Sequence, residues 1–239
     1  MTRQAALRAT TIVAALCATA AWSTPSDAES NFLGGIHFTT GLPQGALEDQ
    51  LDRDAYGIDG QIFFAPSTSP FAIGLDVSWA NYGTESRKEP FSTTIPDVTV
   101  DVDTMNNFVQ TLMVFRGQFP SGPIQPYADA VVGFNYLYTE TTINDDGWDF
   151  DSVASTTNQD DFAFAYGFGG GVMVPVWSGT GTESVQSVLI DAGARYVRGG
   201  EAEYLKDGSI RRTNGRVKFD TTESRTDMVR MQIGVVCRF

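Results

Sequence analysis

Eight stretches of this chain alternate bulky apolar residues with small or polar ones at a period of two, and the connections between them are short and long in strict turn. The stretches lie near 31–40, 55–65, 71–83, 105–118, 126–139, 162–176, 186–198 and 226–239. A period of two is that of a β-strand whose two faces meet different surroundings. The connections 66–70, 120–125 and 177–185 are short and dense in the Pro, Gly and Ser that set turn backbone angles, whereas 41–54, 84–104, 140–161 and 199–225 are long. Short turns at one end and long loops at the other fit an eight-stranded antiparallel up-and-down barrel with both termini on the short-turn side. No longer-period repeat is evident, which argues against a propeller or solenoid.

The final stretch shows the alternation most clearly. Val229, Met231, Ile233, Val235, Cys237 and Phe239 share one face, and Met228, Arg230, Gln232, Gly234, Val236 and Arg238 the other. The sixth sets Phe162, Phe164, Tyr166, Phe168, Val172, Val174 and Val176 against Ala163, Ala165, Gly167, Gly169, Gly171 and Met173. The third opposes Phe71, Ile73, Leu75, Val77 and Trp79 to Ala72, Gly74, Asp76, Ser78 and Ala80.

Alternation is symmetric, so a soluble lipocalin-type barrel with its apolar face inward is the competing reading. Volume decides between them. The interior of an eight-stranded barrel is just wide enough for side chains, and the bulky face carries too many aromatic and branched residues to fit there. Placed outside, that face would aggregate in water and needs lipid as its solvent, while closure satisfies the backbone groups that hydrocarbon cannot. The expected fold class is therefore all-β, an eight-stranded transmembrane barrel. Trp79, Tyr82, Phe119, Tyr136, Tyr138, Phe162 and Trp177 are the expected interfacial aromatics.

The opening residues agree with export. Arg3 and Arg8 precede an acid-free stretch of small and apolar residues, 9–22, which reads as a secretory signal peptide. Cleavage after Ala28 or after Ala20 satisfies the need for small residues near the cut, so 1–28 is assigned to the leader and 29–239 to the barrel domain. The apolar stretch is shorter than the roughly 20 residues of a spanning helix, and acylation at Cys17 is opposed by Leu16 before it. A formal net charge of −13, made more negative by loss of the two arginines, argues against nucleic acid as partner. Of the two cysteines only Cys237 lies beyond the leader, so the barrel holds no internal disulfide.

These features resemble the small outer-membrane β-barrel domain family, the broad group of OmpA- and OmpX-type barrels. The likeness rests on the alternating last strand ending in Phe239, on GQFPSGPIQPYADAVVGF at 117–134, and on the Gly41-Leu42-Pro43 exit from the first strand. It implies residence in the bacterial outer membrane, contact with its lipid and lipopolysaccharide, and a role for Phe239 as the signal read by the barrel-assembly machinery. It does not imply one activity, because barrels of this size serve as tethers, adhesion and resistance factors, pores and enzymes.

Inside the expected lumen the alternation places Asp59, Asp76, Asp129 and Asp191 with Arg116, Arg195, Arg230 and Arg238. Charges in a narrow apolar-walled space need partners, which predicts a cross-barrel ion-pair network joined by Gln61, Gln110 and Gln232. A charged constriction of a solute path is the alternative. The single histidine, His37, lies on the lumen side beside Thr39 without a recognisable nucleophile motif and reads as structural, so no catalytic residue is assigned and no enzyme is expected.

Asn144, Asp145, Asp146, Asp149 and Asp151 offer oxygen ligands, but their spacing is not that of an EF-hand and a solvated acidic loop is preferred. No metal or other cofactor is expected. Lys206, Arg211, Arg212, Arg216, Lys218 and Arg225 form either a charged hairpin or a contact for anionic lipopolysaccharide. Two functions remain open: a structural or surface-interaction barrel working through its external loops, and a narrow porin-like channel for small or hydrophobic solutes.

Overall fold

The computed structural model describes residues 31–239 except 52, 67–68, 93–94, 145–151, 180–184, 205–209, 214–215 and 220, and among strand residues it leaves the side chains of 87–101, 143–159 and 210–219 undescribed. The leader 1–28, both of its cleavage points, the acidic loop residues Asp145, Asp146, Asp149 and Asp151, and the side chains of Asn144, Lys206, Arg211, Arg212, Arg216 and Lys218 lie outside the described residues.

Every regular element among the described residues is a strand. The wall consists of β1 (Phe32–Pro43), β2 (Ala55–Phe64), β3 (Phe71–Ser92), β4 (Ile95–Gln118), β5 (Gln125–Asn144), β6 (Ser152–Ser178), β7 (Ser187–Gly199) and β12 (Met228–Arg238). Four short strands, β8 (Glu201–Tyr204), β9 (Ile210–Thr213), β10 (Arg216–Phe219) and β11 (Thr222–Arg225), lie between β7 and β12 and form two separate ribbons, β8 with β11 and β9 with β10. The eight wall strands pair antiparallel with their sequence neighbours and close β1 onto β12.

The closing seam is continuous. It runs from Leu33 opposite Arg238 to Pro43 opposite Met228 without a break in register. Small residues meet longer ones along it: Gly34 and Gly41 of β1 face Cys237 and Arg230 of β12. A lateral opening at this seam would strip backbone groups of their partners, which lipid cannot replace.

The bulky face is outside. Phe71 is 71% exposed, Phe168 67% and Phe162 64%, and Ile58, Met113, Phe134, Val176 and Ile233 on other strands are also exposed. The opposite parity is buried on the same strands, as Asp59, Leu112, Asn135, Met173 and Gln232 show. Tyr82 departs from the expectation of an interfacial aromatic. It has the parity of Asp76 and Ser78, lies 5% exposed inside the mouth, and meets Tyr204 edge-on at 6.4 Å between ring centres. Trp79, Tyr136, Tyr138 and Phe162 do lie together on the outer surface: Trp79 Nε1 donates to the Tyr138 hydroxyl at 3.3 Å, and Tyr136 is stacked on Phe162 at 4.4 Å and on Tyr138 at 5.3 Å.

Two of the long connections are largely strand. β3 and β4 have 22 and 24 residues and are separated only by 93–94, and β5 and β6 have 20 and 27. Crossing hydrocarbon takes roughly 9–11 strand residues, so these four strands continue as a sheet well beyond the apolar band. The segments 84–104 and 140–161 are rich in Thr, Val and Ile, whose preference for extended backbone is expressed through pairing. Their alternation is short, Val98, Val100 and Val102 against Thr99, Asp101 and Asp103, and among the described side chains Val102 and Thr104 are buried. A bulge between Asn81 and Gly83 marks where the extension of β3 begins, held by Asn81 Oδ1 accepting from Gly83 N at 3.2 Å and from Thr84 Oγ1 at 3.3 Å.

Hydrogen exchange provides a check on closure. Seam amides of Ile36 and Val235 are expected to exchange within about tenfold of wall amides such as Val114 and Val131, whereas a seam faster by a factor of about 100 or more would mean that the wall opens between β1 and β12.

Candidate functional site

Inward parity on successive strands brings the charged side chains of the lumen to one level, where they form a closed circuit. Arg116 of β4 grips Asp129 of β5 with a two-pronged pair, Nε to Oδ1 at 2.8 Å and Nη2 to Oδ2 at 3.0 Å. Arg195 of β7 donates to the same Asp129 Oδ2 from Nε at 3.0 Å and Nη2 at 2.8 Å, and its Nη1 reaches across to Asp76 Oδ2 of β3. Arg230 of β12 meets Asp76 Oδ2 through Nη2 at 2.6 Å, and the same Nη2 lies 3.4 Å from Asp59 Oδ2 of β2. His37 of β1 lies between two carboxylates, with Nδ1 2.8 Å from Asp59 Oδ1 and Nε2 2.9 Å from Asp191 Oδ2 of β7.

Tyr127 completes the circuit. Its hydroxyl donates to Asp191 Oδ1 at 2.9 Å, while its ring lies 3.7 Å from the guanidinium carbon of Arg116. Phe63 stands at 4.2 Å from the same carbon, so Arg116 is held between two rings as well as by Asp129. Aromatic faces attract a cation, and more strongly where water is absent.

With His37 protonated, the circuit is balanced in charge among the described residues. Asp59, Asp76, Asp129 and Asp191 are met by Arg116, Arg195, Arg230 and His37, whose two ring nitrogens both face carboxylate oxygens as those of an imidazolium do. All of these side chains are at most 4% exposed. The desolvation cost of buried ions is offset only when geometry is good and further hydrogen bonds are made. Here Arg230 Nη1 also donates to Ser78 Oγ at 2.7 Å and Gln110 Oε1 at 3.1 Å, and Gln61 and Gln232 donate to Asp59 and Asp191 at 3.0 and 3.1 Å.

Strand β6 gives the circuit its room. A side-chain carbon at Gly169 would lie 2.7 Å from Arg195 Cα and collide with its Cγ, and one at Gly171 would lie 2.5 Å from the Tyr127 hydroxyl. The space these glycines leave is occupied by Arg195 and Tyr127.

Above the charges lies an amide and hydroxyl layer. Gln110 donates to Asn135 at 2.9 Å, Asn135 to Thr226 at 3.0 Å, and Thr139 to Asn106 at 2.8 Å. At the mouth beyond it, Leu47 and Leu51 of the β1–β2 connection are buried with Tyr82, Phe108, Leu137, Tyr204 and Met228. Tyr204 shares a 2.8 Å hydrogen bond with Ser224 on the paired strand β11, and burial holds its hydroxyl pKa above the usual phenol range.

Arg238 departs from the expected network. It sits at the short-turn end, half-buried, and donates from Nη1 to Pro120 O at 3.1 Å and from Nη2 to Gln125 Oε1 at 3.3 Å. The parity that places it inside leaves it near the end of β12, beyond the level of His37, whose partner on that strand is Gly234. His37 takes the fourth cationic place. Its lumen parity is legible in the sequence, whereas its opposition to Asp59 is set by the register of β1 on β2. Tyr127 and Ser78 were likewise legible from the parity of Asp129 and Asp76. Phe239 donates its backbone N–H to Phe32 O at 2.9 Å beside the seam.

No family model matches the chain, and no curated protein matches it. Solved structures do. Neisserial surface protein A is 16% identical with a TM-score of 0.41, over 88% of this chain and 98% of that one. OprG from Pseudomonas aeruginosa is 14% identical with a TM-score of 0.41, over 88% and 96%. A major outer membrane protein from Thermus thermophilus is 10% identical with a TM-score of 0.40, over 86% and 99%. The strand pairing of this chain is by itself that of a closed eight-stranded barrel.

Removing one member of a buried ion pair leaves its partner charged and desolvated, a loss of about 3–5 kcal/mol. Arg195→Met and Arg230→Met are each expected to lower the temperature at which the folded barrel changes mobility on a denaturing gel by roughly ten degrees or more (about 2–4 °C per kcal/mol for a chain of this size). Arg238→Met, outside the circuit, is expected to change it far less. Unchanged heat resistance in Arg230→Met would show that the circuit does not hold the barrel.

Proposed function

We propose that this chain is an integral outer-membrane barrel whose lumen is plugged by its own side chains and whose task is carried at the exterior by its loops and strand extensions. The observation that supports this best is the balanced charge circuit, buried beneath the leucine-filled mouth, in a barrel too narrow for a path around it. Export through the leader 1–28, contact with lipid and lipopolysaccharide, and recognition of Phe239 by the barrel-assembly machinery belong to the same proposal. The outward band of Phe, Ile, Val, Tyr and Trp supplies the surface that hydrocarbon would cover.

A structural or surface-interaction role follows from where the polypeptide is spent. Strands β3 to β6 extend far past the apolar band, and the β8/β11 and β9/β10 ribbons belong to the connection at the same end. A narrow channel for small or hydrophobic solutes would need the space that Arg195 and Tyr127 take beside β6. Catalysis is disfavoured because His37, the single histidine, is buried with Nδ1 bonded to Asp59 and Nε2 2.9 Å from Asp191, with no serine, threonine or cysteine paired to it among the described residues.

Planar-bilayer recording tests the proposal. The purified chain, reconstituted in a stated lipid, is expected to give no reproducible solute-selective current. Stable unitary currents that survive repurification would replace the plugged barrel with the channel reading.

A further inference from the structure

One row of the wall is built around the single histidine. Register places Asp59 of β2, His37 of β1, Gly234 of β12 and Asp191 of β7 opposite one another across four adjacent strands. His37 therefore has one carboxylate beside it on β2 and a second on β7, beyond a residue without a side chain. A side-chain carbon at Gly234 would lie 2.6 Å from His37 Cδ2, and one at Gly35 would lie 2.9 Å from its Cε1. The ring occupies the gap these two glycines leave and reaches over β12: Nδ1 stands 2.8 Å from Asp59 Oδ1 and Nε2 2.9 Å from Asp191 Oδ2.

This contact lies across the closing seam. β1 carries no other ionisable side chain, so its whole share of the circuit is His37. Both carboxylates are held from their far sides. Asp59 accepts from Gln61 at 3.0 Å and has Arg230 Nη2 of β12 at 3.4 Å, while Asp191 accepts from Tyr127 of β5 at 2.9 Å and from Gln232 at 3.1 Å. The charges beyond them, Asp76 on β3, Arg116 on β4, Asp129 on β5 and Arg195 on β7, are engaged among themselves and with Arg230.

An imidazolium presents an N–H to each of two carboxylates, whereas a neutral imidazole presents one N–H and one lone pair. Guanidinium groups keep their charge, so His37 is the cation of the circuit that can lose its proton. Without that proton, four buried carboxylates face three guanidinium groups, and one carboxylate looks onto a lone pair. β1 then has no ionic tie across the seam.

We propose that His37 is a proton-operated clasp on the seam of the barrel: as an imidazolium it ties β1 to β2 and, through the gap at Gly234, to β7, and loss of the proton loosens β1 from β12. The sign follows from the charges. The clasp is closed on the acid side of the ring's titration and opens as pH rises through it. It belongs to the wall itself, whatever task the loops perform.

A chain with one histidine lets the ring be observed alone. The full chain, carrying isotope-labelled histidine and reconstituted in phospholipid nanodiscs, is titrated from about pH 5 to about pH 10 with the ring nitrogens followed by NMR. Exchange of the seam amides Ile36 and Val235 is measured in parallel against the wall amides Val114 and Val131, a ratio that cancels the intrinsic rise of exchange with pH. Seam exchange is expected to rise at least about tenfold relative to the wall, with the same midpoint as the ring. His37→Gln, polar but not titratable, is expected to hold the ratio at its raised value at every pH. A thiol also titrates in this range, and Cys237 lies in the seam opposite Gly34. Cys237→Ser is expected to leave the wild-type response unchanged.

A ring that keeps one protonation state throughout, or that titrates while the seam-to-wall ratio stays flat, overturns the proposal. So does a pH response that persists in His37→Gln. If His37→Gln does not fold, Asp191→Asn takes its place: removing one carboxylate is expected to move the midpoints of ring and seam to lower pH together. Movement of the ring's midpoint without that of the seam overturns the clasp.

Discussion

The interior of an eight-stranded barrel is only as wide as the side chains that fill it, and everything else in this molecule follows from that narrowness. Residues that face inward can reach across to the opposite wall, so a charge placed there must find a countercharge on another strand. The wall strands β1, β2, β3, β4, β5, β7 and β12 each contribute to the circuit, and β6 contributes space in place of a side chain. The same narrowness excludes the bulky residues, which leaves them no position but the outer surface.

A buried charge network is not in itself a gain over a well-packed apolar core, because each ion gives up its hydration. What it contributes here is register. A one-residue slip of any strand would turn its charged residue outward into the apolar band and leave a partner unmatched inside. Backbone pairing alone does not penalise such a slip so severely. The circuit therefore ties side-chain chemistry to the pairing that closes the wall, from Leu33 opposite Arg238 to Pro43 opposite Met228.

The two ends of the barrel are built on different principles. At the short-turn end the connections are tight, as in 119–124 with Gly122 at φ +113°, and Arg238 spans to Pro120 and Gln125. At the other end, strands outrun the apolar band, a leucine-bearing strap enters the mouth, and the β8/β11 ribbon supplies Tyr204 from outside the wall. The function proposed above is placed at that end, whose ribbons lie outside the closed wall.

Parity and connection length are enough to read the eight wall strands, the outward bulky face and the inward Asp and Arg residues, because each depends on a period of two that the residues carry individually. The strand extensions over 84–104 and 140–161 are harder to read, since Pro90, Pro96 and the acidic run at 145–146 interrupt the short alternation of Val98, Val100 and Val102 with Thr99, Asp101 and Asp103. Tyr82 lies inside as its parity requires, against the expectation that its aromatic ring marks an interface, and Arg238 does not share the level along the barrel of the charges its parity groups it with. Sequence by itself determined which face each wall residue takes. Which inward residues meet was decided only by the closed, tilted wall, which sets the height of each residue and so brings His37 rather than Arg238 to Asp59 and Asp191.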